Sequence, residues 1–397
     1  MMNDLLHTPE GVRDIIGEEC KQKLYLKHKL TSLLSSYGYE PIQTPVFEFL
    51  KNFGQEIGTT SDKDLYKFFD REGNTLALRP DFTPSVARAS AKYFSTESAP
   101  LRLFYRGNVF TNGKSLRGKL KESTQIGGEL IGDSSIEADA EIIALIVHAF
   151  KVSGLDQFQI SIGHAGLFAG LTEAAGFNEQ EIRDISSIVY NKNFFGLEEY
   201  LNGKSISDDI KNLFGLLSKT YISPDDWKEY FKQAKEYPKI CAALSHLYDM
   251  NDLLAIYGVE DYVTFDLGLI RSYQYYTGII FSGYTFGSGE PIVSGGRYDD
   301  LLGHFGTEKP AIGFAILLDQ LLLALERQHI PFAPENERTV ILYHLTRSKE
   351  AIQKANALRM EGKTAVLWHY SKEEEYQTLK NQLKASDAVV LLEEEVR

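Results

Sequence analysis

The segment YRGNVFTNGKSLRGKLKESTQIGGELIG, residues 105–132, decides the reading of the fold. Its two ends belong to strand-like runs, Leu101–Phe110 and Glu122–Ile131, while residues 111–121 between them are polar and rich in Gly and Lys. Two such runs around a polar stretch predict antiparallel strands joined by a long loop.

The pattern extends in both directions. Upstream, residues 20–37 place apolar side chains at helical spacing with Lys between them, so they predict an amphipathic helix ended by Gly38. A β-rich run with Pro41 and Pro45 follows. Tyr66–Phe69 and Thr75–Leu78 flank the turn cluster Asp70–Asn74 and predict a hairpin, and Ser85–Lys92 a helix. Downstream, Ile136–Val152 reads as a strongly apolar helix and Phe158–Ile162 as a strand. Residues 167–256 are rich in Glu, Lys, Asp and Leu at helical spacing, which predicts a helical insertion. Strand signals return at Val263–Leu267, Tyr276–Tyr284 and Pro291–Ser294, and Ala311–Leu325 reads as a buried strand and helix. Residues 331–338 form a Pro-containing linker. Beyond it, 339–397 alternates strand and helix, the signature of a small α/β unit with a parallel sheet.

The chain has 397 residues, with 42 Lys plus Arg against 55 Asp plus Glu, a net charge of −13. Two or three domains are expected from this length. The negative balance argues against general nucleic-acid binding, which needs a cationic surface. Two cysteines, Cys20 and Cys241, cannot build a disulfide framework or a cysteine zinc site, and the nine histidines show no metal-ligand spacing, so no metal is expected. The start MMNDLLHTPEGVRD lacks the apolar core of a signal peptide, and no stretch is long enough to span a bilayer. The expectation is a cytoplasmic protein without membrane attachment. Gly-Lys-Ser occurs at 113–115 and 203–205, but a phosphate-binding loop needs Gly where Asn108 and Glu198 stand. His164 reads as a turn or packing residue, and Gly287–Gly289 as a hairpin turn.

Five segments in order carry more information: HTPEGVRD (7–14), TPVFEF (44–49), LALRPDFTPSVAR (76–88), YRGNVF with STQIGGELIG (105–132), and LIRSYQYYTGIIF, SGGRYDDLLGHFG and PAIGFAI (269–316). Together they resemble the class II histidyl-tRNA synthetase catalytic domain over roughly residues 7–325, insertion included. The resemblance implies an α+β fold in residues 1–330, an antiparallel sheet flanked by helices, with a homodimer formed around Pro45. It also implies an amino-acid pocket. Histidine presents an ammonium, a carboxylate and an imidazole. The matching positions are Asp81, Thr83 and Gln125 for the ammonium, Glu129 and Tyr276 for the imidazole, Arg271 for the carboxylate and Tyr298 for a wall. Asp81 is shorter than the family's usual Glu.

Two departures stand out. The arginine that grips ATP after the second family motif aligns with Thr111, and the next Glu and Arg become Gly113 and Lys114. The third-motif arginine for the γ-phosphate aligns with Gln320. Losing two charge-assisted contacts costs about 3–6 kcal/mol, in chemistry that depends on cationic clamps. The tail from Ser371 to Arg397 holds four Lys/Arg and seven Asp/Glu, and looks like a truncated anticodon-binding domain that would repel tRNA. This combination resembles the regulatory subunits of ATP phosphoribosyltransferase, histidyl-tRNA synthetase paralogues of bacterial histidine biosynthesis. The resemblance implies no catalytic residue, no cofactor, and a short-form catalytic subunit as partner in a hetero-octamer. It also implies that L-histidine takes part in feedback inhibition, in this pocket or in the partner. An active histidyl-tRNA synthetase and a free-standing histidine sensor remain the alternatives.

Overall fold

The computed structural model describes residues 6–54, 57, 60–113, 120–220, 222, 224–270, 275–332, 338–384 and 387–393. The chain divides into two compact units, Met1–Ile330 and Pro331–Arg397.

The first unit opens with helix α1 (Gly17–Ser36) and strand β1 (Glu40–Pro41). Strands β2 (Phe47–Phe49), β3 (Lys67–Phe69) and β4 (Thr75–Leu78) make a small antiparallel sheet. Helix α2 (Thr83–Tyr93) leads to the long pair β5 (Leu101–Phe110) and β6 (Glu122–Ile131), then α3 (Ile136–Val152) and β7 (Phe158–His164). The helical block comprises α4 (Ala165–Ala174), α5 (Glu179–Tyr190), α6 (Phe194–Asn202), α7 (Asp208–Phe214), α8 (Pro224–Ala234) and α9 (Pro238–Tyr257). The chain re-enters the sheet as β8 (Val263–Phe265), β9 (Ile279–Thr285), β10 (Val293–Arg297) and β11 (Ala311–Leu317), followed by α10 (Leu318–Arg327).

The main sheet has eight strands in the order β1-β5-β6-β11-β10-β9-β7-β8. Its six central strands are antiparallel, as expected. The two edges correct that expectation, because β1 pairs parallel to β5 and β8 parallel to β7. Parallel neighbours need a long crossover. Residues 42–100 supply one, and the helical block supplies the other. The insertion is therefore the crossover that returns the chain to the sheet edge.

Helix α3 is apolar almost all round, which fits an element buried on several sides. Ser135 caps it by accepting the Ala138 N–H at 3.2 Å. Helix α9 packs on α3 and α4 and ends at Gly258, whose φ of +66° suits a left-handed cap. Beneath α3 lies a buried ion pair. Arg297 Nε and Nη2 donate to Asp139 Oδ1 at 2.9 and 2.6 Å, with Arg297 4% and Asp139 0% exposed. His246 Nε2 of α9 sits 2.9 Å from Asp139 Oδ2, in contact but off line for a hydrogen bond. Burial and the neighbouring His246 push His164, next in the chain of imidazoles, down to about 4, so it stays neutral near pH 7. Its Nδ1 accepts the Gly166 N–H at 3.0 Å and caps α4, a more specific role than packing.

The second unit contains β12 (Arg338–His344), α11 (Ser348–Met360), β13 (Thr364–Tyr370), α12 (Glu373–Lys380) and β14 (Ala388–Leu392). Its strands are parallel in the order β13-β12-β14.

Removing one member of a buried ion pair leaves the other charge unpaired. Asp139→Ala should lower unfolding stability by about 3–5 kcal/mol in a urea titration. A loss below about 1 kcal/mol would show that the pair does not hold α3 to β10.

Candidate functional site

A cleft of about 820 Å3 opens over the middle of the main sheet. Strand β6 supplies its floor. Side chains alternate along a strand, so Gln125, Gly127 and Glu129 share one face. Glu129 is fully buried. Its Oε1 accepts the Thr83 hydroxyl at 2.8 Å and its Oε2 accepts the Tyr298 hydroxyl at 2.6 Å. Tyr105 adds a longer contact at 3.5 Å. Burial pushes the Glu129 carboxyl up to about 8, against the pull of the Tyr298 and Thr83 hydroxyls, with Asp81 nearby pushing the same way as burial. Near neutral pH it is mostly protonated.

The sheet makes room for this group with glycine. Gly313 of β11 pairs with Glu129, and a Cβ there would stand 1.5 Å from Oε2. Gly296 does the same for Tyr276, whose ring would lie 2.7 Å from an added Cβ. The rings of Tyr275 and Tyr276 lie with centroids 4.2 Å apart and planes tilted by 31°. At the start of α2, Asp81 Oδ1 accepts the Thr83 N–H at 2.9 Å, a local turn that sets Thr83 at the first position of the helix. Gln125 is 8% exposed, lines the cleft, and its Oε1 has no partner among the described residues. A buried acceptor without a donor is costly unless a ligand supplies one.

Asp81, Thr83, Gln125, Tyr276 and Tyr298 thus line one cleft, and Glu129 lies directly beneath it. Arg271 falls outside the described residues, as do Lys114 and Arg117. Thr111 lines the far end, beside Asn112, Gly113, Lys63 and Lys121. Its N–H donates to Lys121 O at 2.9 Å. Gln320 is partly buried in the first turn of α10 and is not part of the cleft lining. Its neighbour Asp319 accepts Lys23 Nζ at 2.6 Å and the Thr124 N–H at 2.7 Å. The sequence reading missed Tyr105 and Gly313. Tyr105 stands in the quoted YRGNVF run, and Gly313 opposite Glu129 follows only once the strand register is known. Among the described residues no group of three His, Cys, Asp or Glu could hold a metal ion, and no helix is long and apolar enough to cross a membrane.

The profile of the histidyl-tRNA synthetase family matches residues 11–321. An ATP phosphoribosyltransferase regulatory subunit of Acetivibrio thermocellus is 38% identical over 360 residues, 90% of this chain and 85% of that protein. One from Caldanaerobacter subterraneus is 34% identical over 390 residues, 97% of this chain and 99% of that protein. This chain belongs to the ATP phosphoribosyltransferase regulatory subunit family. The solved structure of a Bacillus halodurans protein, described as an ATP phosphoribosyltransferase regulatory subunit/histidyl-tRNA synthetase, matches with a TM-score of 0.88 and 34% identity. It covers 99% of both chains. The class II synthetase fold expected from the motifs is therefore the fold of this family.

The Glu129 shift has a consequence for stability. Its folded value lies above that of an unfolded Glu, so the folded state holds a proton that the unfolded chain releases between about pH 4.5 and about 8. Stability should fall as pH rises through that window. Glu129→Gln, which cannot titrate, should flatten the decline. Urea midpoints for both proteins from pH 5 to 8.5 measure this, and parallel curves would refute it.

Proposed function

We propose that this protein is a non-catalytic regulatory subunit that activates a short-form ATP phosphoribosyltransferase and takes part in its inhibition by histidine. The observation that carries the reading is an asymmetry between the two sets of residues a synthetase would need. The amino-acid side has an ordered carboxyl, two supporting hydroxyls and an unpartnered amide oxygen. The positions where a synthetase would hold triphosphate carry Thr111 and Gln320. An enzyme that adenylates an amino acid needs both halves, whereas a binding subunit needs one.

In this reading free histidine seats its imidazole against Glu129 and Tyr276, its ammonium near Asp81, Thr83 and Gln125, and its carboxylate on Arg271. Histidine regulates by binding one state of the assembly better than the other. Residues 339–397 act as a reduced counterpart of an anticodon-binding domain, without tRNA as a ligand. The protein works in the cytoplasm and needs no cofactor or metal.

A homodimer has support on the small sheet. Phe47, Phe49 and Phe68 share one of its faces by strand register. Phe47 and Phe49 are about half exposed, and Phe47 meets Phe68 edge-on with centroids 5.4 Å apart. Val46 beside them is 44% exposed. A second copy placed there would cover this apolar face, and two such dimers with four catalytic subunits would give the hetero-octamer.

The protein should raise phosphoribosyl transfer by the short-form catalytic subunit when the two are mixed, and added histidine should reduce it. No activation would overturn the regulatory reading. Histidine-dependent ATP–pyrophosphate exchange by this protein alone would instead establish a synthetase. Arg271→Ala should weaken histidine binding by about 1.5–3 kcal/mol in calorimetry. Unchanged binding would remove Arg271 from the pocket.

A further inference from the structure

One lysine of the helical block stands in a backbone conformation that suits glycine. Helix α5 ends in the cap residue Asn191, and Lys192 follows it with a φ of +53°. The Lys192 N–H donates to Val189 O at 2.9 Å and the Asn193 N–H to Ile188 O at 3.1 Å, the paired closure of a left-handed helix cap. Gly38, Gly154, Gly176 and Gly362 hold the matching position after α1, α3, α4 and α11. A side chain there adds strain, and the cap alone gives no reason for one.

The reason lies at the end of the side chain. Lys192 Nζ donates to Asp266 Oδ1 and Oδ2 at 2.9 and 2.8 Å and to Gly268 O at 2.9 Å. An ammonium has three N–H groups, and these acceptors can use them all. Asp266 is buried, and its Oδ1 also accepts the Gly268 N–H at 3.1 Å. The helical block grips the same stretch twice more. The Leu267 N–H donates to Lys219 O at 3.1 Å, and a Cβ on Gly268 would stand 2.0 Å from Leu217 O. From β7, Ile162 O accepts the Asp266 N–H at 2.8 Å, and a Cβ on Gly163 would stand 2.9 Å from Asp266 O. Residues 266–268 are thus wedged between the helical block and β7. They lead to the amino-acid cleft, because Ile270 lines a cavity together with Tyr276 and Arg271 follows Ile270 in sequence.

We propose that Lys192 is a positioning residue for the amino-acid cleft, fixing residues 266–268, from which the chain runs on to Arg271 and Tyr276. The proposal rests on the histidine reading of that cleft and extends it: the helical block sets ligand recognition without touching the ligand. The Lys192 side chain is 41% exposed, and an ion pair so open to water adds little stability. Its effect therefore falls on the placement of the backbone that carries the binding groups, where a small shift weakens an oriented contact. Arg271, assigned to the ligand carboxylate, comes three residues after Gly268. The loss on removing Lys192 should accordingly depend on that carboxylate.

Calorimetry on the full-length protein tests this with L-histidine and with L-histidinol, which carries a hydroxymethyl group in place of the carboxylate. Lys192→Met should weaken histidine binding by about 10-fold, within the range of one charge-assisted contact, and leave histidinol binding unchanged. Lys192→Arg keeps a cation within reach of Asp266 and should restore most of the histidine affinity. Because Lys192→Met leaves a buried carboxylate without its cation, a double variant, Lys192→Met with Asp266→Asn, separates positioning from folding. It should melt at the wild-type temperature and show the same selective loss. Equal losses for histidine and histidinol would reduce Lys192 to a general structural role and overturn the proposal. Unchanged histidine binding by Lys192→Met, in a protein whose wild type binds histidine, would overturn it alone. A wild type that binds no histidine would instead overturn the reading of the cleft, and the proposal with it.

Discussion

A carboxyl group buried at the centre of a β-sheet constrains everything around it. Glu129 is fully buried, so its carboxyl oxygens need hydrogen-bond partners that water cannot supply. The Thr83 and Tyr298 hydroxyls meet that need, and they come from two separate parts of the chain. The Asp81 turn places Thr83, and the end of β10 places Tyr298. The facing strand must carry glycine, because any larger residue at 313 would occupy the carboxyl's own space. The cleft exists because these three requirements are met at one point.

The second constraint acts through Arg297, one residue before Tyr298. Its guanidinium is locked to Asp139 of α3 and also donates to Asp133 O and Ser135 O. The backbone carbonyl of Arg297 accepts the Thr277 N–H at 2.8 Å, which ties down the segment carrying Tyr276. Through Asp139, the same pair touches His246 on α9 of the helical crossover. Thus the cleft wall, the buried helix and the insertion meet at one ion pair. A buried pair of this kind contributes little net stability, but breaking it is expensive. It therefore acts chiefly to fix geometry.

Much of this was legible in the residues. The boundaries of β5, β6 and α3 follow directly from hydropathy, because each is a long run with one period and a clear turn or cap at its ends. The parallel edges were not legible. Strand β1 has two residues and β8 three, too short for any periodic signal, and their direction is set by connections of tens of residues. Cleft membership of Asp81, Thr83, Gln125, Tyr276 and Tyr298 followed from family motifs rather than periodicity. Gly313 and Tyr105 could not be assigned that way. Their importance depends on which residue sits across the strand, and register is a tertiary fact.

The energetics of Glu129 bear on whether the cleft is a working pocket. At pH 7 an unfolded glutamate is ionised, whereas this one is held mostly protonated, so folding must bear about 3 kcal/mol for the uptake of that proton. Much of that cost would vanish with an apolar residue of similar size at position 129. The nearby hydroxyls of Tyr298 and Thr83 then would have no need to converge, and Gln125 Oε1 would still lack a donor. Structural packing therefore does not account for the arrangement. The amino-acid ligand proposed above, with polar groups for the carboxyl and an ammonium for the amide oxygen, would account for it.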